Sequence, residues 1–341
     1  MKKISLLLIS GCLFFIAEAN VLTVSNNPNS PGQYMNLQTA IDSASAGDSI
    51  YVHGSATSYG SVIINKRLTL LGTGHKPNKA NILVSVIGNV LFDSVATVSG
   101  ASGTKIIGFK INRVTGYGGS GGTKNILIQR NYFISGGTKI TSTGSGWTIE
   151  NNIFYPSSIN INNKANTIIR NNIFSGAYLA TSNQSTVLIA NNIFFGTPPA
   201  TAFTTVSNAL IANNIFSGSS PKGSNVSSNI FSNNITYQTS YDTIPFGTNT
   251  GSGNFVAQNP QFTNAATNDF NYSYDFSLQA TSPGKNAGTD GTDIGIYGGA
   301  TPFLDMTGTP AIPQVKSVMI LNPMIPVGDS LQVIIKAKKQ N

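Results

Sequence analysis

The sequence predicts an all-β chain wound as a parallel β-helix, a solenoid with coils of 20–22 residues, a short capping helix at its start and a β-hairpin tail at its end. Three observations carry that reading. One phrase recurs: Ile128-Gln-Arg-Asn131-Tyr-Phe133, Ile149-Glu-Asn-Asn152-Ile-Phe154, Ile169-Arg-Asn-Asn172-Ile-Phe174, Ile189-Ala-Asn-Asn192-Ile-Phe194 and Ile211-Ala-Asn-Asn214-Ile-Phe216, fading at Asn233-Asn234-Ile-Thr236. Its aligned asparagines fall 21, 20, 20, 22 and 20 residues apart, the mark of one unit stacked on itself. The stretches between phrases are rich in Gly, Ser, Thr and Asn, too polar and too short for a crossover helix. Finally, only 9% of residues are charged, too few to coat the outer faces of helices.

The phrase has a geometry. Strand side chains alternate faces, so Ile and Phe both point inward if the Asn pair marks a bend, and Asn tolerates the left-handed backbone such a bend needs. Rungs stacked ~4.7–4.9 Å apart then carry one interior column of Ile, one of Phe and one of Asn. Stacked amides satisfy each other because each has a donor and an acceptor; an interior Asn left alone would cost about 1–3 kcal/mol. The ladder positions are Asn131, Asn152, Asn172, Asn192 and Asn214. A leucine-rich repeat shares the period and the Asn but needs a Leu framework before it. Five residues before each Asn stand Ile126, Trp147, Thr167, Val187 and Ala209, so that framework is missing.

Taken in order, residues 1–19 read as a secretory signal: basic Lys2-Lys3, an apolar run from Ile4 to Ile16, and Ala17-Glu18-Ala19 as the cleavage site. Ile9-Ser10-Gly11-Cys12 resembles a lipoprotein processing box, but the apolar run continues past Cys12, and soluble export is the preferred reading. No later segment has the ~18 apolar residues of a membrane span. Cleavage removes Cys12, the only cysteine, and with it any disulfide or thiolate site; the formal charge moves from +8 to +7. A basic exported chain would suit acidic glycans, anionic lipid or a cell-surface polymer as partner; the competing reading is that the charges are scattered solubilising residues.

Asn36 caps a short helix with Leu37, Ala40, Ile41 and Ala44 on one face, placed to cover the open end of the strands. Ser49–Val52, Val62–Ile64 and Leu68–Leu71 read as strands. The segments Leu37-Gln-Thr-Ala-Ile41, Gly47-Asp-Ser-Ile-Tyr-Val52, Tyr59-Gly60 and Asn65-Lys-Arg-Leu-Thr-Leu-Leu-Gly72 resemble the opening rung of the pectin-lyase-like superfamily. That resemblance implies a right-handed β-helix over roughly residues 33–300. It leaves the chemistry open, because a shared fold hosts many activities.

Further rungs follow at 82–87, 90–98 and 106–111, then a Gly-rich excursion, Gly116–Gly122. Asn259-Pro-Gln-Phe262, Ser282-Pro283, Asn286-Ala-Gly288 and Asp293-Ile-Gly-Ile-Tyr-Gly-Gly299 resemble closing segments of secreted β-helix proteins common in the Bacteroidota, which implies that origin. The β-helix domain is therefore drawn at 20–305, with 306–341 as a linker and a small hairpin packed on the body. Ile153, Ile173, Ile193 and Ile215 fall on the outer face, an apolar stripe that the tail or a partner must cover.

For chemistry, the resemblance implies two precedents: polygalacturonases with paired carboxylates, and pectate lyases with carboxylate-held Ca²⁺ and an Arg or Lys base. Between Asp93 and Asp242 the only acid is Glu150, so the middle rungs hold neither a pair nor a cage. Glu150 and Arg170, in matching places of successive rungs, are the one catalytic candidate pair, read as an exposed ion pair. Asp290 and Asp293 are a calcium candidate short of the 6–8 oxygens required, and read as turn residues. His53 and His75 read as surface or turn positions, and Trp147 as packing. Tyr117, Tyr155 and Tyr178 would form a sugar-stacking platform if they share a face. No cofactor, nucleotide or nucleic-acid motif is present. The resulting expectation is an exported, non-catalytic module contacting an acidic polysaccharide or surface polymer. The alternatives are a polysaccharide lyase with a Lys or Arg base, and a purely structural or adhesive stalk.

Overall fold

The computed structural model describes residues 19–77, 83–92, 100–116, 122–134, 136–142, 144–162, 166–182, 186–265, 270–303, 306–322 and 324–338. Residues 1–18, on which the expected secretory signal and Cys12 fall, lie outside the described residues, as does Tyr117.

The chain is a right-handed parallel β-helix. Its first wall is a ten-stranded parallel sheet, from Val21–Val24 through Leu127–Gln129, Thr148–Glu150, Thr167–Arg170, Val187–Ala190 and Ala209–Ala212 to Ile230–Ser232. The second wall stacks Tyr132–Phe133, Ile153–Phe154, Ile173–Ser175, Ile193–Phe195, Ile215–Ser217 and Ile235–Tyr237. The third includes Thr138–Ser142, Ser158–Asn162, Leu179–Ser182, Phe203–Ser207 and Asn225–Ser227. The long strand Lys110–Thr115 pairs with both Tyr132–Phe133 and Thr138–Ser142, so it joins the second and third walls into one sheet.

The repeat dictates this register. Ile128, Ile149, Ile169, Ile189 and Ile211 are partners in successive first-wall strands, and Phe133, Phe154, Phe174, Phe194 and Phe216 in the second; all are fully buried. In-register stacking forces the Phe rings nearly parallel, with Phe174 and Phe194 centroids 4.5 Å apart. The first residue of each pair makes the corner: Asn151, Asn171, Asn191, Asn213 and Asn233 all have φ between +52° and +58°, where a short amide side chain is tolerated. The second residue turns inward. Asn152 donates its backbone N–H (2.9 Å) and Nδ2 (3.1 Å) to Asn172 Oδ1, and the same arrangement links Asn131, Asn152, Asn172, Asn192 and Asn214. The column continues through Asn234 to Asn254, beyond the visible repeat, and a second short ladder joins Asn229 to Asn249 at another corner.

The first rung starts earlier than the opening motif indicates, because Val21–Val24 pairs with Ser49–Val52. The helix Leu37–Ser43 is capped by Asn36 Oδ1, which accepts from Thr39 N, and buries Leu37, Ala40 and Ile41. Gln38 acts as a false strand: its amide donates to Ile63 O and accepts from Ile63 N, pairing the exposed edge of Val62–Ile64.

Two expectations need correction. The outer isoleucine stripe is covered neither by the tail nor by a partner. After Asn254 the chain folds back along the outside of the second wall as a strap. Its Phe276, Leu278, Ile294, Ile296 and Phe303 pack on Ile153, Ile173, Ile193, Ile215 and Ile235, forming a second buried core outside the solenoid. The tail hairpin, Gln314–Ile320 with Val333–Lys338, is present but not packed on the body: Val318, Met319, Ile320, Val333, Ile334 and Ile335 are exposed.

Candidate functional site

The strap is seated by the corner residues. Asn233 Nδ2 donates to Ala287 O, Asn213 Nδ2 to Thr289 Oγ1, and Asn191 Nδ2 to Gly295 O. Asn171 Nδ2 donates to Ile296 O and Gly298 O, Asn151 Nδ2 to Thr301 O, and Arg130 Nη1 to Thr309 O. One column of side chains thus holds the strap from residue 287 to residue 309. The repeat displayed these corner residues, and their outward role follows only from the returning segment.

That seating changes Glu150. Its outward column runs Gln129, Glu150, Arg170, and the strap's Thr301 lies over it, with Oγ1 3.5 Å from Glu150 Oε2. Glu150 Oε1 accepts from Gln129 Nε2 at 2.8 Å, and Oε2 accepts from Arg170 Nε at 2.7 Å. The expectation of an exposed ion pair is therefore corrected: the Glu150 side chain is 6% exposed and that of Arg170 28%. Each carboxylate oxygen thus accepts a hydrogen bond from a neighbouring rung.

Asp290 and Asp293 are brought into one turn. Asp290 Oδ1 accepts from Thr292 N and Oγ1, and the Thr292 hydroxyl bond holds the carboxyl below its ordinary value. Asp293 accepts from Asn286 N through Oδ1 and pairs with Lys285 Nζ through Oδ2 at 2.8 Å. A cation there would have to displace Lys285. Among the described residues no cluster of three His, Cys, Asp or Glu is placed to hold a metal.

Tyr155 and Tyr178 flank the corner between the second and third walls, the one following Ile153–Phe154 and the other preceding Leu179–Ser182. Tyr155 is half-buried at the end of the strand Ile153–Phe154. Tyr178 lies beyond the left-handed Gly176 turn and is exposed. His75, expected at the surface or in a turn, follows the left-handed Gly74 in a bend. It is buried, with Nδ1 2.8 Å from Tyr272 Oη and its ring against Tyr132, and it links the strap to the solenoid. Burial raises Tyr272 and Tyr132 above the ordinary phenol range. His53 is half-buried beside Tyr51. Trp147 is core, donating Nε1–H to Thr123 O at 2.7 Å.

The sequence also carries a run of one-signed charge. From residue 94 to residue 149 there are six basic residues, Lys105, Lys110, Arg113, Lys124, Arg130 and Lys139, and no acid. The solenoid distributes them around the coil. Lys105 is exposed on the first wall. Lys110 Nζ lies 5.8 Å from the Tyr132 ring centroid, Arg130 holds the strap, and Arg113 and Lys139 lie on paired strands where the second and third walls diverge.

No protein-family model matches the chain, and no curated protein matches it. Among solved structures, a pectin methylesterase from Aspergillus niger aligns over 81% of this chain and 97% of its own, at 15% identity and a TM-score of 0.27. The fluoroquinolone resistance protein QnrB1 aligns over 59% and 92%, at 11% identity and a TM-score of 0.25. An alginate lyase from Paenibacillus sp. aligns over 70% and 99%, at 13% identity and a TM-score of 0.22. Likeness at this level carries nothing about chemistry, and the fold stands on the strand pairing itself.

Proposed function

We propose that the chain is an exported, non-catalytic β-helix module that contacts an acidic extended polymer, a polysaccharide or cell-surface polymer. The observation that carries this reading is the fate of Glu150. It is the only acid between Asp93 and Asp242, and the strap buries it with both oxygens hydrogen-bonded. The remaining outer surface of those rungs is polar and basic, which suits a polyanion lying along a rigid rod. No helix of the described residues is long and apolar enough to cross a membrane.

The test is retention of the full chain on polygalacturonate, alginate and glycosaminoglycans, with the polymers assayed afterwards for unsaturated and reducing ends. Binding without new chain ends is expected. New unsaturated ends would instead establish a lyase, and no retention on any polymer would favour a structural stalk. The N-terminus of the exported protein is expected at Asn20; a lipid-modified Cys12 would replace soluble export by anchoring.

A further inference from the structure

Lys139 is the extra residue of a β-bulge. Thr138 pairs with Ser158 while Ile140 pairs with Ile159, so two steps on one strand oppose one on the other. A bulge re-aims a side chain that the regular pleat would place elsewhere. Here the result is a lysine with 2% exposure at the divergence of the second and third walls. Its Nζ donates to Asn112 Oδ1 at 3.0 Å, and Asn112 Nδ2 donates to Asn89 Oδ1 at 2.8 Å. This short amide chain orients one acceptor toward the ammonium, which carries three donors. Among the described residues the only ion pairs are Arg170–Glu150 and Lys285–Asp293, so no described carboxylate answers Lys139. Arg113, on the neighbouring strand, is exposed, and its side chain makes no hydrogen bond or ion pair among the described residues. A buried lysine without a counter-charge, one strand from an exposed arginine with no partner of its own, is an arrangement an anion would complete.

We propose that Lys139 and Arg113 form an oxyanion subsite, which takes one carboxylate or sulfate group of the acidic polymer while Asn112 positions the ammonium. The inference rests on the acidic-polymer reading above and gives it an address. Burial first, and Arg113 second, lower the affinity of Lys139 for its proton; a bound anion reverses that bias. If Lys139 merely capped the Asn89–Asn112 column, removing Arg113 would change nothing.

The experiment measures affinity of the full chain for four probes: polygalacturonate, its fully methyl-esterified form, dextran sulfate and unmodified dextran. Binding of at least one anionic probe and of neither neutral one is expected; which anionic probe binds separates carboxylate from sulfate. Lys139→Met and Arg113→Gln should each weaken that binding about tenfold, the scale of one charge-assisted hydrogen bond. Lys105→Gln, on the first wall, should leave it unchanged. Arg113 is exposed, so Arg113→Gln remains informative if Lys139→Met does not fold. Wild-type affinity in Arg113→Gln would overturn the subsite while leaving polymer binding elsewhere on the solenoid. Failure of the wild-type chain to bind either anionic probe, or equal binding of the neutral ones, would overturn both readings.

Discussion

Asn171 and Asn172 are neighbours in the chain and donate to opposite sides of the same wall. Asn171 Nδ2 reaches out to Ile296 O and Gly298 O of the strap, whereas Asn172 Nδ2 reaches in to Ile149 O and Asn192 Oδ1. The positive φ of Asn171 produces the split, because it turns the chain between the two side chains. Each phrase of the repeat therefore builds an interior ladder and an exterior row of anchors.

The two rows should differ in mutational cost. Asn192→Ala removes the Oδ1 that accepts both N–H groups of Asn172 and is expected to destabilise by about 3 kcal/mol, the cost of buried groups left unpaired. Asn191→Gly keeps the bend and loses only the bond to Gly295 O, for about 1 kcal/mol. Urea unfolding measures both, and equal losses would remove this division of labour.

Glu150→Gln keeps the shape of the column but takes the counter-charge from Arg170. Arg170 is partly solvated, so the expected loss is about 1 kcal/mol. Polymer affinity should not change, because the strap covers the site. A marked loss of binding at unchanged stability would place Glu150 at a working surface.

The strap should be separable from the coil. Phe276→Ala opens a space against Phe195 and Phe262 and should cost about 3–5 kcal/mol of local stability. Limited proteolysis is expected to cut within 270–303 while the β-sheet circular dichroism persists. Collapse of the whole spectrum would make the strap essential to the solenoid.

Alkali should release the strap first. Burial, and secondarily Asp275, push Tyr297 up to about 12 from 10.0, and burial raises Tyr272 as well. A phenol whose folded pKa is raised stabilises fully below its unfolded value, and that contribution is lost as pH climbs through the folded one. Stability should therefore fall above pH 10 and be lost through about pH 12. A spectrophotometric titration in which every tyrosine ionises as a free phenol would contradict the packing of the strap.

The sequence by itself determined the coil, because a 20-residue period and alternating faces are local facts: they place Ile149, Phe154 and Asn152 inside before any contact is known. It also exposed the scarcity of acids in the middle rungs. What covers the outer isoleucines was settled only by tertiary structure, since Asn171 meets Ile296 across 125 residues and no repeat marks the returning segment. Lys139 illustrates the same limit. In the sequence it is one lysine in a polar loop, and its burial depends on a register shift against Ser158 and Ile159, a relation between strands that exists only once both are stacked.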